Sequence, residues 1–193
     1  MPLLTTQSAK SFGLNNFISL SNNNFFSIQT ATVDASGASS ITFSSIPQTY
    51  THLQIRGFAR TNAATALLMT FNGTSSTYRN TYLEGNGGGS ATSGGLETTL
   101  SGIGLYGGLP YNSLGSYWWG FSVIDIIDYT NTNKNKIVRA LNGYDLDSTN
   151  PYGYVDVDGG YWANTNAISS ITIGLQAGTL FAQNTQFALY GIR

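Results

Sequence analysis

Short alternating runs separated by Gly, Asn and Ser limit what this chain can become more than any other feature. "FFSIQTATV", which starts at Phe25, and "SSITFSSI", "ALLMTF", "YWWGFSVIDII", "KIVRAL", "ISSITIGL" and "QFALYGI" are dense in β-branched and aromatic residues. Successive side chains of a strand point to opposite faces. In "THLQIRGFAR", Leu53, Ile55 and Ala59 therefore point one way, and His52, Gln54, Arg56 and Arg60 the other. "ALLMTF" keeps Leu67, Met69 and Phe71 in step, and "TYRNTYLE" follows it. No segment holds a helical period with caps, and no fixed-period repeat suggests a propeller or solenoid. About eight to ten short strands with turn residues between them predict an all-β chain, an antiparallel β-sandwich of jelly-roll type.

The domain is expected over residues 25–193. Residues 1–24 are polar and end in "SLSNNN"; they read as an extended N-terminal arm whose Leu3, Leu4, Phe12, Leu14, Phe17 and Ile18 are available to dock elsewhere, with a frayed terminus as the alternative. "EGNGGGSATSGG" (84–95) reads as a flexible loop, and "SGIGLYGGLPYNSLGS" (101–116), which mixes Gly with Leu, Ile and Tyr, as an ordered insertion. "GNGGGS" lacks the Gly-Lys-Ser/Thr ending of a phosphate loop.

Composition sets the class of partner. Charged residues are 9% of the chain, against about 25% in a typical soluble protein, and the net charge is -1. Such a surface gives no electrostatic footprint for nucleic acid and offers little repulsion between neighbouring copies. No stretch approaches the ~20 apolar residues of a membrane span, so no membrane partner is expected. "MPLLTTQSAKSFGLNNF" has one lysine and no sustained apolar core, unlike a signal peptide.

"VIDIIDYTNTNKNK" (123–136) places two carboxylates, Asp125 and Asp128, in an apolar run. A catalytic dyad needs them on one face, but an odd separation in a strand sends them to opposite faces. A hairpin centred near Thr132 explains them instead. It sets Asp125 against Arg139, Asp128 against Lys136, Ile127 against Ile137 and Val123 against Leu141, each pair contributing roughly 0.2–1 kcal/mol. One face then carries Val123, Ile127, Ile137 and Leu141, and the other Ile124, Ile126, Val138 and Ala140. Both faces are apolar, which predicts strands covered on both sides, one cover being another subunit.

Catalytic chemistry finds little support. The chain has no cysteine and a single histidine, His52, so thiolate sites, common zinc sites and Cys nucleophiles are excluded. No G-x-S-x-G elbow occurs. Glu84 and Glu97 flank the glycine-rich loop and are conceivable as a glycosidase pair, although solvated loop ends are the commoner case. Asp145, Asp147, Asp156 and Asp158 gather in "YDLDSTNPYGYVDVDGG", and D-x-D recurs in calcium loops. Neither half matches an EF-hand, and acidic turn residues more often satisfy local backbone. The reading is therefore no catalytic, cofactor-binding or metal residue. Trp118, Trp119 and Trp162, with twelve tyrosines, leave a glycan partner possible. Of the adjacent Trp118 and Trp119, one is expected to point outward and need cover, while Trp162 follows a glycine turn, where it is either exposed or plugs a sandwich end.

Four stretches carry a family resemblance: "SITFSSIPQTYTHLQIRGFART", "FNGTSSTYRNTYLEGNG", "IDIIDYTNTNKNKIVRALNGYD" and "YWANTNAISSITIGLQAGTLFAQNTQFALYGIR". From about Ser40 to Arg193 the chain resembles virion structural proteins of tailed bacteriophages, most specifically in the hairpin and the closing "FALYGIR". The resemblance implies a β-sandwich or jelly-roll module on the outside of the particle. The implied role is a capsid decoration (cement) protein bound to the major capsid protein, or else part of a tail fibre. It implies a homo-oligomer, a trimer being common to both roles, and no catalytic residue. The single domain, the arm and the absence of heptads favour decoration.

Overall fold

The computed structural model describes residues 24–106, 109–115, 117–146, 153–175 and 178–193, and the backbone alone for 95–100 and 113. The arm expected over residues 1–24 lies outside the described residues except for Asn24. The described chain is all-β and antiparallel. Its strands are β1 (Phe25–Thr32), β2 (Ser40–Phe43), β3 (His52–Ala59), β4 (Leu67–Phe71), β5 (Tyr78–Asn86), β6 (Ala91–Leu100), β7 (Ile103–Leu105), β8 (Gly120–Ile127), β9 (Lys136–Tyr144), β10 (Tyr154–Trp162), β11 (Ile171–Leu175) and β12 (Gln186–Ile192).

They form an eight-stranded sheet in the order β1-β12-β3-β8-β9-β10-β5-β6 and a four-stranded sheet in the order β2-β11-β4-β7. The chain crosses between sheets repeatedly and the pairings nest: β1 with β12, β2 with β11, β3 with β8 and β4 with β7. Two hairpins, β5–β6 and β9–β10, widen the larger sheet beyond β8.

One core lies between the sheets. The small sheet supplies Ile41, Phe43, Met69, Phe71, Ile171 and Ile173, and the large sheet Leu53, Ile55, Ile124, Ile126, Phe187 and Leu189. Period-two alternation places these residues, since each set recurs at every second position. Trp162, 1% exposed, plugs the end of β10; its ring lies 5.6 Å from Phe71 and stacks on Tyr78 at 6.0 Å. The Tyr78 hydroxyl accepts the Phe71 amide at 2.8 Å, tying β5 of the large sheet to β4 of the small one.

Three strands escape the sequence reading. The expected loop over 84–95 is a turn followed by β6. The Asn86 side chain accepts the amides of Gly88 (3.1 Å) and Ser90 (3.0 Å), and Gly89 takes a φ of 81° that favours glycine. The polar residues beyond the turn are held by ladder bonds to β5, which need no side-chain propensity. β7 is the ordered part of the 101–116 stretch, and β10 runs through the acidic segment that resembled a cation loop.

Replacing Trp162 with alanine empties the contact with Phe71 and Tyr78. The expected loss is about 3–5 kcal/mol of unfolding free energy, read from the midpoint of urea denaturation at constant slope.

Candidate functional site

Register assembles a broad face on the outer side of the large sheet. Arg56, Val123, Leu141, Val157 and Leu83 are successive partners across β3, β8, β9, β10 and β5. A parallel row runs Phe58, Phe121, Gly143, Val155, Gly85, and another runs Ile127, Ile137, Tyr161, Arg79. Val123 is half-buried, and the exposed apolar members range from 39% at Ile127 to 57% at Leu83. Isolated exposed apolar residues need no explanation, but cross-strand neighbours over four strands form a contiguous patch.

The row between them is polar and internally neutralised. Arg139 donates to Asp125 at 2.7 Å, Gln54 donates to the other carboxylate oxygen at 2.7 Å, and Arg56 donates to Gln54 at 2.6 Å. Burial raises the Asp125 pKa, but these two hydrogen bonds and the fields of Arg139 and Arg56 outweigh it and hold the carboxyl below its ordinary range. The hairpin register expected from sequence is observed, with Asp125 opposite Arg139, Ile127 opposite Ile137 and Val123 opposite Leu141.

The expected Asp128–Lys136 pair is not formed. Asp128 leaves the strand with a φ of 48° and pairs with Lys134 instead; that hydrogen bond holds its carboxyl low. Lys136 is fully buried, and its ammonium donates to the carbonyls of Asn131 (2.5 Å), Lys134 (3.1 Å) and Thr165 (2.8 Å). Three acceptors saturate its three donors, so it works as a loop clamp. His52 Nδ1 accepts the Asp128 amide at 3.0 Å and lies 3.4 Å from the Asp128 carboxylate. It closes the strand end and faces no nucleophile among the described residues.

Of the tryptophans, Trp162 takes the end-plugging alternative, and the pair Trp118 and Trp119 lies outside the strand expected to hold it. Trp118 and Trp119 precede β8, and Trp119 meets Phe58 edge-on at 5.6 Å. A hollow of about 490 Å³ lies beside it, lined by Trp119, Phe121, Tyr144, Tyr154, Asn86 and Asp145. Trp162 is in the core and cannot meet a glycan.

The acidic cluster divides. Asp145 is exposed, Asp147 lies outside the described residues, and Asp156 and Asp158 are each 1% exposed on the inner face of β10. Asn142 donates to Asp158 at 2.6 Å, and the Tyr106 amide donates to its other oxygen at 3.2 Å. Burial first, then the Asp156 carboxyl beside it, pushes Asp158 up to about 8; burial also raises Asp156. Two carboxylates cannot hydrogen-bond each other until one holds a proton. Asp156 lies between Asn142 and Glu84 in register, and Ser122 lies beyond Asn142. Among the described residues no three His, Cys, Asp or Glu side chains come together. Glu84 sits within β5 rather than at a loop end, and the Glu97 side chain lies outside the described residues.

Sequence reasoning missed Ser122, Asn142 and Asn80 as buried polar residues. The usable signal was parity, because Asp156 and Asp158 share the even positions of β10 with Trp162. No protein-family model, curated protein or solved structure matches this chain.

A carboxyl whose folded pKa is raised adds stability below the unfolded value and loses it as pH rises through the folded one. In chelator-containing buffer, unfolding free energy is expected to fall between about pH 4 and about pH 8. Asp158→Asn makes that slope shallower, leaving the part due to the buried Asp156, as followed by urea titrations at successive pH values.

Proposed function

We propose that this protein is a non-enzymatic structural subunit of a virus particle, a capsid decoration protein of a tailed bacteriophage that binds the outer shell and its own copies. The observation that carries the reading is the outward face of β8, β9, β10 and β5. Its apolar rows present no uncompensated charge at their centre, where Asp125 and Arg139 neutralise each other. With 9% charged residues and a net charge of -1, identical chains meet there without electrostatic penalty. The nested pairing β1–β12, β2–β11, β3–β8, β4–β7 supports a jelly roll, in which the β5–β6 and β9–β10 hairpins enlarge one sheet to build that face. The arm over residues 1–24 reaches a neighbouring subunit in this reading, and the assembly is a homotrimer seated on the major capsid protein. The family resemblance of the sequence points the same way.

Val157 stands at the middle of the central row, and Val157→Glu puts an unpaired charge there. The wild-type chain is expected to sediment as an oligomer at micromolar concentration. The variant is expected to sediment at the single-chain mass of 20.6 kDa, with its stability changed by no more than about 1 kcal/mol. A wild-type chain that sediments at 20.6 kDa defeats the assembly reading. Density for the chain spread over the shell of an intact particle supports decoration, whereas density confined to the tail does not.

A second reading, a receptor-binding module of a tail fibre, draws on the aromatic hollow beside Trp119. In that case saturable binding on a glycan array is expected, lost in Trp119→Ala.

A further inference from the structure

We infer that Asp156 and Asp158, together with Asn142 and Ser122, form a binding site for one calcium ion between the sheets. Ser122, Asn142 and Asp156 are direct cross-strand partners on β8, β9 and β10, and Asp158 is the next residue on the same face of β10. All four are at most 2% exposed. The amide oxygen of Asn142 and the hydroxyl of Ser122 have no hydrogen-bond partner, and the Asp156 carboxyl has only the side chains of Asp158 and Asn142 beside it. The Ser122 and Asn142 oxygens are independent of the acidic pair. They share the inner face with it, and a buried acceptor left unmatched costs about 1–3 kcal/mol. Direct partners on one face stand ~5 Å apart, so Asn142 lies beside both Ser122 and Asp156, which are two strand spacings from each other.

Charge gives the valence. No lysine or arginine among the described residues acts on either carboxyl. A proton shared between them leaves one negative charge in the core and still leaves the Asn142 and Ser122 oxygens unmatched. A divalent cation neutralises both carboxylates and takes up the unmatched oxygens of Asn142 and Ser122. Each Asp158 oxygen already accepts one donor and retains a second lone pair, so the bonds from Tyr106 and Asn142 persist.

The donor set gives the element. There is no sulfur or imidazole, so the site suits a hard cation. Magnesium dehydrates reluctantly and keeps several waters, for which a cleft this enclosed has little room. Calcium accepts irregular all-oxygen shells of carboxylate, amide and hydroxyl groups. This inference stands on the inner face of the large sheet and is independent of the assembly proposed above.

The test is equilibrium dialysis of the full chain against calcium, paired with thermal unfolding in calcium or EDTA at one fixed protein concentration. One calcium per chain is expected. At a concentration about 100-fold above the dissociation constant, Tm is expected to rise by roughly 5–10 °C. Asp156→Asn folds, because it removes a buried charge in a near-isosteric change, and it loses both bound calcium and the Tm response. Ser122→Ala separates the readings further. Deleting an unpartnered hydroxyl raises or preserves Tm in EDTA, while loss of a ligand weakens calcium binding. The inference is overturned by wild-type protein that retains no calcium and unfolds at one temperature in both buffers. An equal response to magnesium overturns the choice of calcium, and a Ser122→Ala response equal to wild type removes Ser122 from the site.

Discussion

Trp162 fixes the parity of β10, and much of the molecule follows from that parity. Its indole closes the core against Phe71 and Tyr78, so the even positions of the strand must face inward. The ladders to β5 and β9 run from Tyr154 to Trp162 without a bulge, so nothing resets the alternation. Asp156 and Asp158 are carried inside, and Val155 and Val157 outside. The hydrophobic pattern of "YVDVD" alone favours the reverse. A one-residue slip would expose the aspartates and bury the valines, but it would also expel Trp162 and drive the side chain of another residue into the place where Gly160 admits Ile103. Burying the larger aromatic and the glycine contact outweighs the misplaced carboxyls.

That inversion creates both features on which function is argued. The outward valines extend the apolar rows begun by Val123 and Leu141, and the inward aspartates join Ser122 and Asn142. A local rule broken in one strand thus produces an uncovered face on one side and an uncompensated charge pair on the other. Each asks for a partner: the face for protein surface, the pair for a cation or a proton. Sites at which sequence and fold disagree are where a function is expected to reside.

Most strands were legible because their alternation agreed with their burial. The β8–β9 hairpin was legible to the register, since Asp125 and Arg139 match only in the frame that also aligns Ile127 with Ile137. Asp128 was misassigned because a left-handed backbone at the strand end redirects its side chain to Lys134, which a regular ladder cannot anticipate. β6 and β10 were missed for opposite reasons. The first has too little apolar content to signal a strand and is held by its neighbour. The second carries acidic residues at the positions that a strand of ordinary pattern would fill with apolar ones. Trp118 and Trp119 escape the alternation expected of them because β8 begins after them, at Gly120, while Trp162 takes the end-plugging role open to it.

The proposed association uses the face rather than the edge, in keeping with where the large sheet is irregular. Its two outermost pairs, β1–β12 and β5–β6, each contain a register shift, near Ser27 and near Tyr78 respectively. The interior pairs run in continuous register. Bulges twist an edge out of the plane an incoming strand requires and leave its N–H and C=O groups out of phase. The outer strand β6 adds Gly, Ser and Thr, which pack poorly against a new neighbour. The flat interior strands, by contrast, present Val123, Leu141, Val157 and Leu83 in one line, with glycines at 143, 85 and 159 lowering the relief around them. A sheet built this way resists open-ended strand addition while keeping a level apolar surface for a closed contact, the combination a subunit of defined stoichiometry requires.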